Sequence, residues 1–428
     1  MTEVEIVPGP VSGRLEAPPS KSYTHRALVA GFLTGRPYRI RNPSRCADTR
    51  ATRNGLAAFG TAVEEAAGEW RLLPGPEPPP PSGRRIACGS SGTTLRLLTA
   101  LAALSGSHRR SFSGSPGLAR RPIRGLLEPL ARHGAEIRGP PPGRGLPFSV
   151  KGPIAPGRYD VDGSSSSQFL SALLLTLPVL AGRSELRPIG PTVSRPYLEA
   201  TRAVLAAHGV PVRRAGEGFR LPGGARYLGD RFVVPGDSSS AAYLWSAGAL
   251  AGGPVTVTGI DPAWPQADRA ILAVLGRMGA RVHRRGAAAT VSGPLTGPVA
   301  FDATQAPDLA GLVAVLAALA PTGPSRLTGT ARLAKKESDR RQGAADLART
   351  FGARVRAGPD SLEIRPGPLP ERLRLLAPDD HRTVMSAAVG MLALRGTSRL
   401  APGEAVRKSY PGFWSAIATL GATVRWNR

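Results

Sequence analysis

The chain has 428 residues, of which 41% are hydrophobic, and its 56 Lys and Arg outnumber its 30 Asp and Glu for a formal net charge of +26. This length predicts two or more domains, and the longest apolar stretches, near 169–182 and 309–320, are too short to span a bilayer. Two cysteines suit neither a disulfide framework nor a metal cluster, and the first residues lack the pattern of a secretory signal. We therefore expect a cytoplasmic protein with no membrane partner and no bound metal.

The positive charge invites comparison with nucleic-acid-binding proteins. However, the arginines are spread along the whole chain, and the aromatic content of 5% leaves few side chains for base stacking. We therefore predict that nucleic acid is not a partner and that some of the basic residues bind small anions.

Lysine is scarce in this chain. Only five of the 56 basic residues are lysines, namely Lys21, Lys151, Lys335, Lys336 and Lys408, so the other 51 (56 minus 5) are arginines. Lysine is a compact charge that can exchange its proton, whereas arginine is always charged and forked. The lysines are therefore candidates for positions where a guanidinium does not serve.

A repeated unit is visible along the chain. Six times a helix-like stretch ends in a glycine that a β-branched residue follows three positions later, at Gly60, Gly134, Gly209, Gly279, Gly352 and Gly421. The differences between successive positions are 74, 75, 70, 73 and 69 residues. Glycine just past a helix end adopts the left-handed conformation, and a β-branched residue fits the strand that follows.

Small polar segments keep the same interval and run directly into apolar helical patterns. Their marker residues are Ser22, Ser91, Ser166, Ser239, Asp308 and Asp380, which are 69, 75, 73, 69 and 72 positions apart. Serine and aspartate are favoured helix N-caps, and flexible linkers would not precede a helix six times in register. The pattern predicts six α/β units in two pseudo-symmetric domains of three units each.

These helix starts have a consequence for binding. A helix N-terminus offers unpaired N–H groups and a partial positive charge, so it attracts anions. We hypothesise that the six starts converge on one cleft that binds phosphates and carboxylates.

Charged motifs stand at three of the later helix starts. The segment Lys336-Glu337-Ser-Asp-Arg340 precedes a helical pattern at 343–351, and we expect its two cationic residues to lie one helical turn apart. The segment Asp380-His381-Arg382 precedes an apolar helix at 384–394. Either segment alone also fits a solvated face or a simple cap.

Asp308 is the only charged residue between Asp302 and Arg326, which suits a carboxylate with a tuned pKa. The sequence has no GxxxxGK[ST], GxSxG, HExxH or CxxC motif. Nucleotide hydrolysis, hydride transfer, serine-hydrolase chemistry and zinc catalysis therefore lose support.

The chain resembles the 5-enolpyruvylshikimate-3-phosphate (EPSP) synthase family in a series of motifs that follow in that family's order and extend from Lys21 to Pro411. These motifs are Pro19-Ser-Lys-Ser-Tyr-Thr-His-Arg26, Gly89-Ser-Ser-Gly-Thr-Thr-Leu-Arg96, Arg121-Pro122, Ser166-Ser-Gln-Phe-Leu170, Ser194-Arg-Pro-Tyr197, Pro307-Asp308, Lys336-Glu-Ser-Asp-Arg340, Asp380-His-Arg382 and Lys408-Ser-Tyr-Pro411.

The resemblance implies a fold of two inverse α/β domains, each with three repeated units of helices and a mixed sheet. It implies one discontinuous domain, 1–19 plus 235–428, and one inserted domain, 20–234. In this family the domains close on the first substrate and exclude water.

The implied reaction transfers the enolpyruvyl group of phosphoenolpyruvate to the 5-hydroxyl of shikimate 3-phosphate and releases phosphate, with no cofactor and as a monomer. The residues implied for shikimate 3-phosphate are Lys21, Ser22, Arg26, Ser166, Ser167, Gln168, Ser194, Asp308 and Lys336. Those implied for phosphoenolpyruvate are Lys21, Gly92, Arg121, Gln168, Arg340, Arg382 and Lys408. We expect Asp308 as the base and Glu337 as the proton donor, assisted by Lys21, Lys408 and His381.

Two segments depart from the family pattern. Ser90 stands where many members carry asparagine, and Ser115-Pro-Gly117 stands where an acidic stretch is common. Three alternatives stay open. One is an enolpyruvyl transferase that acts on UDP-N-acetylglucosamine, but this enzyme would need a cysteine that 111–121 lacks. The others are a paralogue with another acceptor and a protein similar to RNA 3′-phosphate cyclases.

Overall fold

The computed structural model describes residues 2–75, 85–335 and 338–427. The chain forms two compact units, a discontinuous unit of Met1–Pro18 and Gly236–Arg428 and an inserted unit of Pro19–Pro235. Lys336 and Glu337 lie outside the described residues.

The strands of the described residues follow one another along both units. In chain order they are β1 Glu3–Val7, β2 Val11–Glu16, β3 Tyr38–Arg41, β4 Thr61–Ala66, β5 Glu69–Pro74, β6 Arg85–Ala87, β7 Arg110–Ser113, β8 Glu136–Arg138, β9 Phe148–Lys151, β10 Arg158–Asp162, β11 Ser184–Ile189, β12 Arg213–Ala215, β13 Gly218–Leu221, β14 Arg231–Val233, β15 Gly252–Thr258, β16 Arg281–Arg285, β17 Ala288–Ser292, β18 Ala300–Asp302, β19 Ser325–Thr328, β20 Arg354–Ala357, β21 Ser361–Arg365, β22 Arg374–Leu376, β23 Ser398–Ala401 and β24 Thr423–Asn427.

The α-helices of the described residues alternate with these strands. They are α1 Lys21–Leu33, α2 Ala47–Gly55, α3 Gly92–Ala102, α4 Pro116–Ala119, α5 Arg124–Arg132, α6 Ser167–Thr176, α7 Arg195–Ala207, α8 Ser238–Leu250, α9 Ile271–Arg277, α10 Ala310–Ala318, α11 Arg340–Thr350, α12 His381–Met391 and α13 Phe413–Thr419. Among the described residues, no helix has the length and apolar character that crossing a membrane requires.

The described strands form six sheets of one topology, a parallel pair extended by two antiparallel strands. In the inserted unit the orders are β14-β3-β5-β4, β6-β7-β9-β8 and β10-β11-β13-β12, and in the discontinuous unit they are β2-β15-β17-β16, β18-β19-β21-β20 and β22-β23-β1-β24. A parallel pair needs a crossover connection, and α3, α6, α10 and α12 supply it in four of the sheets. The prediction of two α/β domains with three repeated units each is confirmed.

Each unit has a core of buried helices. Helices α1, α3 and α6 contact one another in the inserted unit, and α8, α10 and α12 do so in the discontinuous unit. These helices are apolar on nearly all sides, which is typical of helices surrounded by other elements. Their polar residues are concentrated at their N-termini, so the side chains that could bind anions or exchange protons stand at the helix starts.

Both repeated landmarks appear in the structure. All six predicted glycines have positive φ, from 70° to 106°. Four of the six buried helices have a side chain that caps the first turn, with Ser91, Ser166, Asp237 and Asp380 as the acceptors. Asp308 instead lies in the 3-10 turn Pro307–Leu309 before α10.

Two helices begin earlier than their apolar patterns predict. Helix α11 begins at Arg340 rather than 343, and α12 spans His381–Met391 rather than 384–394. The cap residues decide these starts, since the Asp339 carboxylate accepts from the Gln342 N–H at 2.9 Å. The expectation that Lys336 and Arg340 lie one helical turn apart involves Lys336, which lies outside the described residues.

Candidate active site

Lys21 opens α1 in the inserted unit. Its Nζ donates to Asp48 Oδ2 at 3.0 Å, and the two side chains are 17% and 10% exposed. Ser22 follows and is half-buried. Because the aspartate holds the lysine by a charge-assisted bond, Asp48 orients the ammonium group. Sequence reasoning missed Asp48, which stands in an unremarkable segment before Thr49.

Arg26 lies one turn further along α1 and is 3% exposed. Its guanidinium donates to Thr201 Oγ1 at 2.8 Å, to the Ser22 carbonyl at 2.8 Å and to the Tyr197 carbonyl at 3.0 Å. Burial lowers the pKa of Arg26 to about 10, so the group remains charged at neutral pH. These bonds place a permanent positive charge beside the start of α1 and join α1 to α7.

Gln168 joins the N-termini of α3 and α6. Its Oε1 accepts from Arg96 Nη1 at 2.5 Å, and its Nε2 donates to Thr93 Oγ1 at 3.0 Å. Arg96, 2% exposed, also donates to the Pro122 carbonyl at 3.0 Å. The amide of Gln168 is therefore held in one orientation. Arg96 was part of a recognised motif, but sequence reasoning assigned it no role.

Gly92 and Arg121 lie in close contact. A Cβ atom at Gly92 would stand 2.6 Å from Arg121 Nη1, a distance that real Cβ atoms do not show. Gly92 is the first residue of α3, and Arg121 is 8% exposed. Because Gly92 has no side chain, the Arg121 guanidinium can lie against the N-terminus of α3. Its charge therefore adds to the partial positive charge of the helix end.

Three predicted serines stand at helix starts of the inserted unit. Ser166 Oγ accepts from the Gln168 N–H at 3.3 Å, and Ser167 is 4% exposed. Ser194 precedes α7 with φ of 53° and is 4% exposed. Positive φ is uncommon outside glycine and is concentrated at functional sites, so the backbone of Ser194 is a signal that the sequence does not carry.

The two departures from the family pattern contact each other. Ser90 Oγ donates to Ser115 Oγ at 3.1 Å. Ser115 also donates its N–H to the Gly89 carbonyl at 2.8 Å and caps α4 by accepting from the Leu118 N–H at 3.2 Å. The two serines therefore form one connected feature beside the start of α3.

In the discontinuous unit, Asp308 lies between two arginines. Its Oδ1 accepts from Arg340 Nη1 at 2.6 Å, and its Oδ2 accepts from Arg382 Nη2 at 2.7 Å. The exposed fractions of the three side chains are 18%, 8% and 11%. The starts of α10, α11 and α12 are thus joined by two short charge-assisted bonds around one carboxylate.

Asp380 is fully buried behind this carboxylate. Its side chain accepts from Ser338 Oγ at 2.7 Å, Arg340 Nε at 3.1 Å and the Arg382 N–H at 2.9 Å. Asp380 therefore fixes the guanidinium of Arg340, which also donates to Asp308. His381 is 1% exposed, with its Nδ1 3.8 Å from Asp380 Oδ1, and lies on the buried side of this network.

Lys408 ends the 3-10 turn Gly403–Lys408 and is half-buried. The predicted residues Lys336 and Glu337 lie outside the described residues, so the structure neither supports nor opposes their roles.

The two units offer different chemistry at their helix starts. The inserted unit presents cations, hydroxyls and an amide, a set that binds phosphate and carboxylate groups. The discontinuous unit presents a carboxylate held by two guanidiniums, which can exchange a proton beside an anion site.

Comparisons with known proteins agree with this chemistry. The family model for EPSP synthase (3-phosphoshikimate 1-carboxyvinyltransferase) matches residues 7–417. The 3-phosphoshikimate 1-carboxyvinyltransferase of Methanoculleus marisnigri is 41% identical over 413 residues, covering 96% of this chain and 97% of the relative. That of Thermococcus kodakarensis is 39% identical over 411 residues, covering 96% and 98%.

Solved structures show the same fold. EPSP synthase from Acinetobacter baumannii is similar with a TM-score of 0.83 and 25% identity, covering 100% of both chains. The enolpyruvyl transferase NikO from Streptomyces tendae has a TM-score of 0.77 at 21% identity, covering 100% of this chain and 99% of its own. The resemblance predicted from the motifs is confirmed. The chain therefore belongs to the EPSP synthase (3-phosphoshikimate 1-carboxyvinyltransferase) family and is a transferase of the shikimate pathway.

Proposed function

We propose that this chain transfers the enolpyruvyl group of phosphoenolpyruvate to the 5-hydroxyl of shikimate 3-phosphate and releases phosphate, and that the residues described above carry out the reaction. The observation that most supports this is the Asp308 carboxylate between Arg340 and Arg382. It combines a proton-exchanging group with an anion site, and both substrates are anions with phosphate and carboxylate groups.

Shikimate 3-phosphate is assigned to the residues that offer hydroxyls, an amide and cations. In this proposal its phosphate binds Ser166 and Ser167 at the N-terminus of α6, where free N–H groups and the helix dipole favour an anion. The full set is Lys21, Ser22, Arg26, Ser166, Ser167, Gln168, Ser194, Asp308 and Lys336.

Phosphoenolpyruvate is assigned to a second set, which is rich in guanidiniums. Arginine forms bidentate bonds to carboxylate and phosphate, and the contact between Gly92 and Arg121 leaves such a group at the start of α3. The set is Lys21, Gly92, Arg121, Gln168, Arg340, Arg382 and Lys408.

The chemistry needs one proton delivered and one removed. In the first step the 5-hydroxyl oxygen bonds to C2 of phosphoenolpyruvate, the hydroxyl proton is taken up, and the C3 methylene gains a proton to become methyl. In the second step the C3 methyl returns a proton, the C2–O bond to phosphate breaks, and phosphate leaves with the proton that came from the 5-hydroxyl. We assign Asp308 as the base and Glu337 as the proton donor to C3, so each group passes between its two protonation states.

Three further residues assist in this proposal. Lys21 and Lys408 stabilise negative charge that develops on the phosphate and carboxylate oxygens. Lys21 is oriented by Asp48, which suits a group that must hold one position. His381 is buried beside Asp380, so we assign it to positioning the Asp308 network.

The test is phosphate release from phosphoenolpyruvate by the purified chain. Shikimate 3-phosphate, shikimate and UDP-N-acetylglucosamine are compared as acceptors. We expect release with shikimate 3-phosphate alone. Release with another of these acceptors, or with none, would refute the assignment of the acceptor.

The role of Asp308 is tested by Asp308→Asn. We expect kcat to fall by about 10²–10⁴-fold, because the amide keeps the shape but cannot take a proton. Asp302→Asn is the matched control, since Asp302 is exposed and its Oδ1 accepts from the Thr304 N–H in a local turn. Equal activity of the two variants would show that Asp308 is not the base.

We also propose that the chain acts as a monomer in the cytoplasm. Cys46 and Cys88 are both free and buried, as is common in a reducing compartment. Sedimentation velocity should give the mass of one chain, and cell fractionation should recover the activity in the cytoplasmic fraction.

A further inference from the structure

Asp268 is a buried acid that the proposed mechanism does not use. It lies in the 3-10 turn Ala267–Ala270 of the discontinuous unit and is 1% exposed. A buried carboxyl group is costly unless it is neutral or well paired, so its retention in the core requires a reason.

The turn that carries Asp268 is fastened to the start of α8. Gln266 Oε1 accepts from the Ser238 N–H at 2.9 Å, and Gln266 Nε2 donates to the Gly236 carbonyl at 2.7 Å. Ser239 Oγ donates to Asp268 Oδ2 at 2.5 Å. The acid is therefore held at a helix start of the same kind as those of Asp308 and Asp380.

Asp268 receives fewer hydrogen bonds than Asp380, the other fully buried acid of this unit described above. Within the described ranges, Asp268 Oδ2 has one donor, Ser239, and Oδ1 has no hydrogen-bond partner. Asp380 accepts from three donors, one of which is the Arg340 guanidinium. An ionised carboxylate needs several donors, whereas a neutral acid tolerates few, so this environment suits the neutral form of Asp268.

Burial and the neighbouring negative charges raise the pKa of Asp268. Burial is the largest effect and raises its pKa to about 7, and the negative charges of Asp308 and Asp237 contribute in the same sense. The positive charge of Arg382 and the bond from Ser239 lower it. Burial therefore favours the protonated form of Asp268, and the positive charge of Arg382 opposes it.

Tyr243 is a second buried group that the charge of Arg382 acts on. It lies one turn after Ser239 on α8 and is 1% exposed, and the positive charge of Arg382 lowers the pKa of its hydroxyl. Burial raises the pKa of Tyr243 to about 12, so the phenol stays neutral at physiological pH. Arg382 therefore faces one carboxylate, Asp308, and two neutral groups as long as Asp268 keeps its proton.

We propose that Asp268 is a positioning residue that acts as a neutral acid: it holds the Ser239 hydroxyl at the start of α8 and leaves the charge of Arg382 to Asp308 and the anionic substrate. This inference rests on the proposed assignment of Asp308 and Arg382 to the active site. If Asp268 lost its proton, a second negative charge would compete for Arg382 and weaken the binding of phosphoenolpyruvate.

The experiment compares kcat/KM for phosphoenolpyruvate of the full chain and of Asp268→Asn as pH rises from 6 to 8.5, at saturating shikimate 3-phosphate. The amide keeps the size and a bond to Ser239 but cannot ionise. We expect the two proteins to be nearly equal at the low end, and the variant to become about fivefold better at the high end. The kcat/KM of the variant is divided by that of the unmodified chain at each pH. This ratio cancels the titration of the substrates and of all other groups.

Asp261→Asn is the matched control, because Asp261 lies in the same loop and its Oδ1 accepts from the Ala263 N–H at 2.8 Å. Its ratio to the unmodified chain should not change with pH. A flat ratio for a folded Asp268→Asn, or a uniform loss of activity, would overturn the inference. If the unmodified chain shows no transfer at any pH, the proposed function itself fails instead.

Ser239→Ala gives an independent measurement. It removes the hydroxyl that donates to Asp268 and should move the decline of kcat/KM to higher pH, because the carboxylate loses its donor. An unchanged or lowered midpoint would contradict the proposal even if Asp268→Asn does not fold.

Discussion

The inserted and discontinuous units share one topology but place different groups at their buried helix starts. Cations, hydroxyls and one amide stand there in the inserted unit, and its acid beside Lys21 is Asp48. The discontinuous unit instead gathers Asp308, Asp380 and Asp268 around Arg340 and Arg382.

This difference indicates that the same topology can present either anion-binding groups or proton-exchanging groups at its helix starts. A helix N-terminus favours anions by itself, so the inserted unit needs only donors and cations to bind them. A carboxylate at such a start can exchange protons, but it needs counter-charges of its own, which the two arginines supply. We interpret the first unit as specialised for binding and the second for acid–base chemistry.

Apart from Asp308→Asn, the largest effect should come from a charge-conserving change at the lysines. We expect Lys21→Arg and Lys408→Arg each to lower kcat about 100-fold, because the larger planar guanidinium cannot occupy the place of a compact ammonium group. Phosphate release measures this.

Lys151→Arg is the matched control for both variants. Lys151 ends β9 and has no role in the proposed site. If both site variants retain the activity of this control, lysine has no special role and the comparison between the units loses one of its supports.

A smaller effect should follow from Gly92→Ala. The new methyl group would displace Arg121 from the start of α3, so we expect KM for phosphoenolpyruvate to rise about tenfold while kcat changes less. Gly117→Ala is the control, because its Cβ would meet nothing nearer than 3.9 Å. A rise in KM for shikimate 3-phosphate alone would place Arg121 with the other substrate.

Asp268→Asn should alter the pH dependence of stability. Because the folded pKa of about 7 lies above the ordinary aspartate pKa of 3.8, the folded chain keeps a proton that the unfolded chain releases. The protonated Asp268 contributes fully to stability below pH 3.8, and this contribution is lost as pH rises through about 7. We expect the variant to gain about 2–3 kcal/mol relative to the unmodified chain between pH 5 and pH 8, measured by urea unfolding. If the two proteins differed in unfolding free energy by the same amount at pH 5 and at pH 8, Asp268 would not titrate in this range.

The smallest effect should come from Ser90→Ala. Ser115 retains its bonds to the Gly89 carbonyl and the Leu118 N–H, so the loop keeps its anchors. We expect kcat/KM for phosphoenolpyruvate to change less than about threefold, as the loss of one exposed hydrogen bond implies. A change above tenfold would mean that Ser90 contacts the substrate directly.

Local features of the fold could be predicted from the sequence alone. The six glycines have positive φ as predicted, and the polar segments begin buried helices. Caps, turns and apolar periodicity act within a few residues, so they are visible in the chain. The starts of α11 and α12 were misplaced because an apolar pattern marks the buried stretch of a helix rather than its first turn.

The sequence by itself determined the repeated α/β units, the family and the set of polar helix starts, because these depend on short motifs and their spacing. Only the tertiary structure decided which groups meet. Arg340 and Arg382 reach Asp308 from 32 and 74 positions away, and Arg96 reaches Gln168 from 72. Such pairs determine charge and protonation, and Asp268 received no role from the sequence because its burial and single donor arise only when distant segments pack.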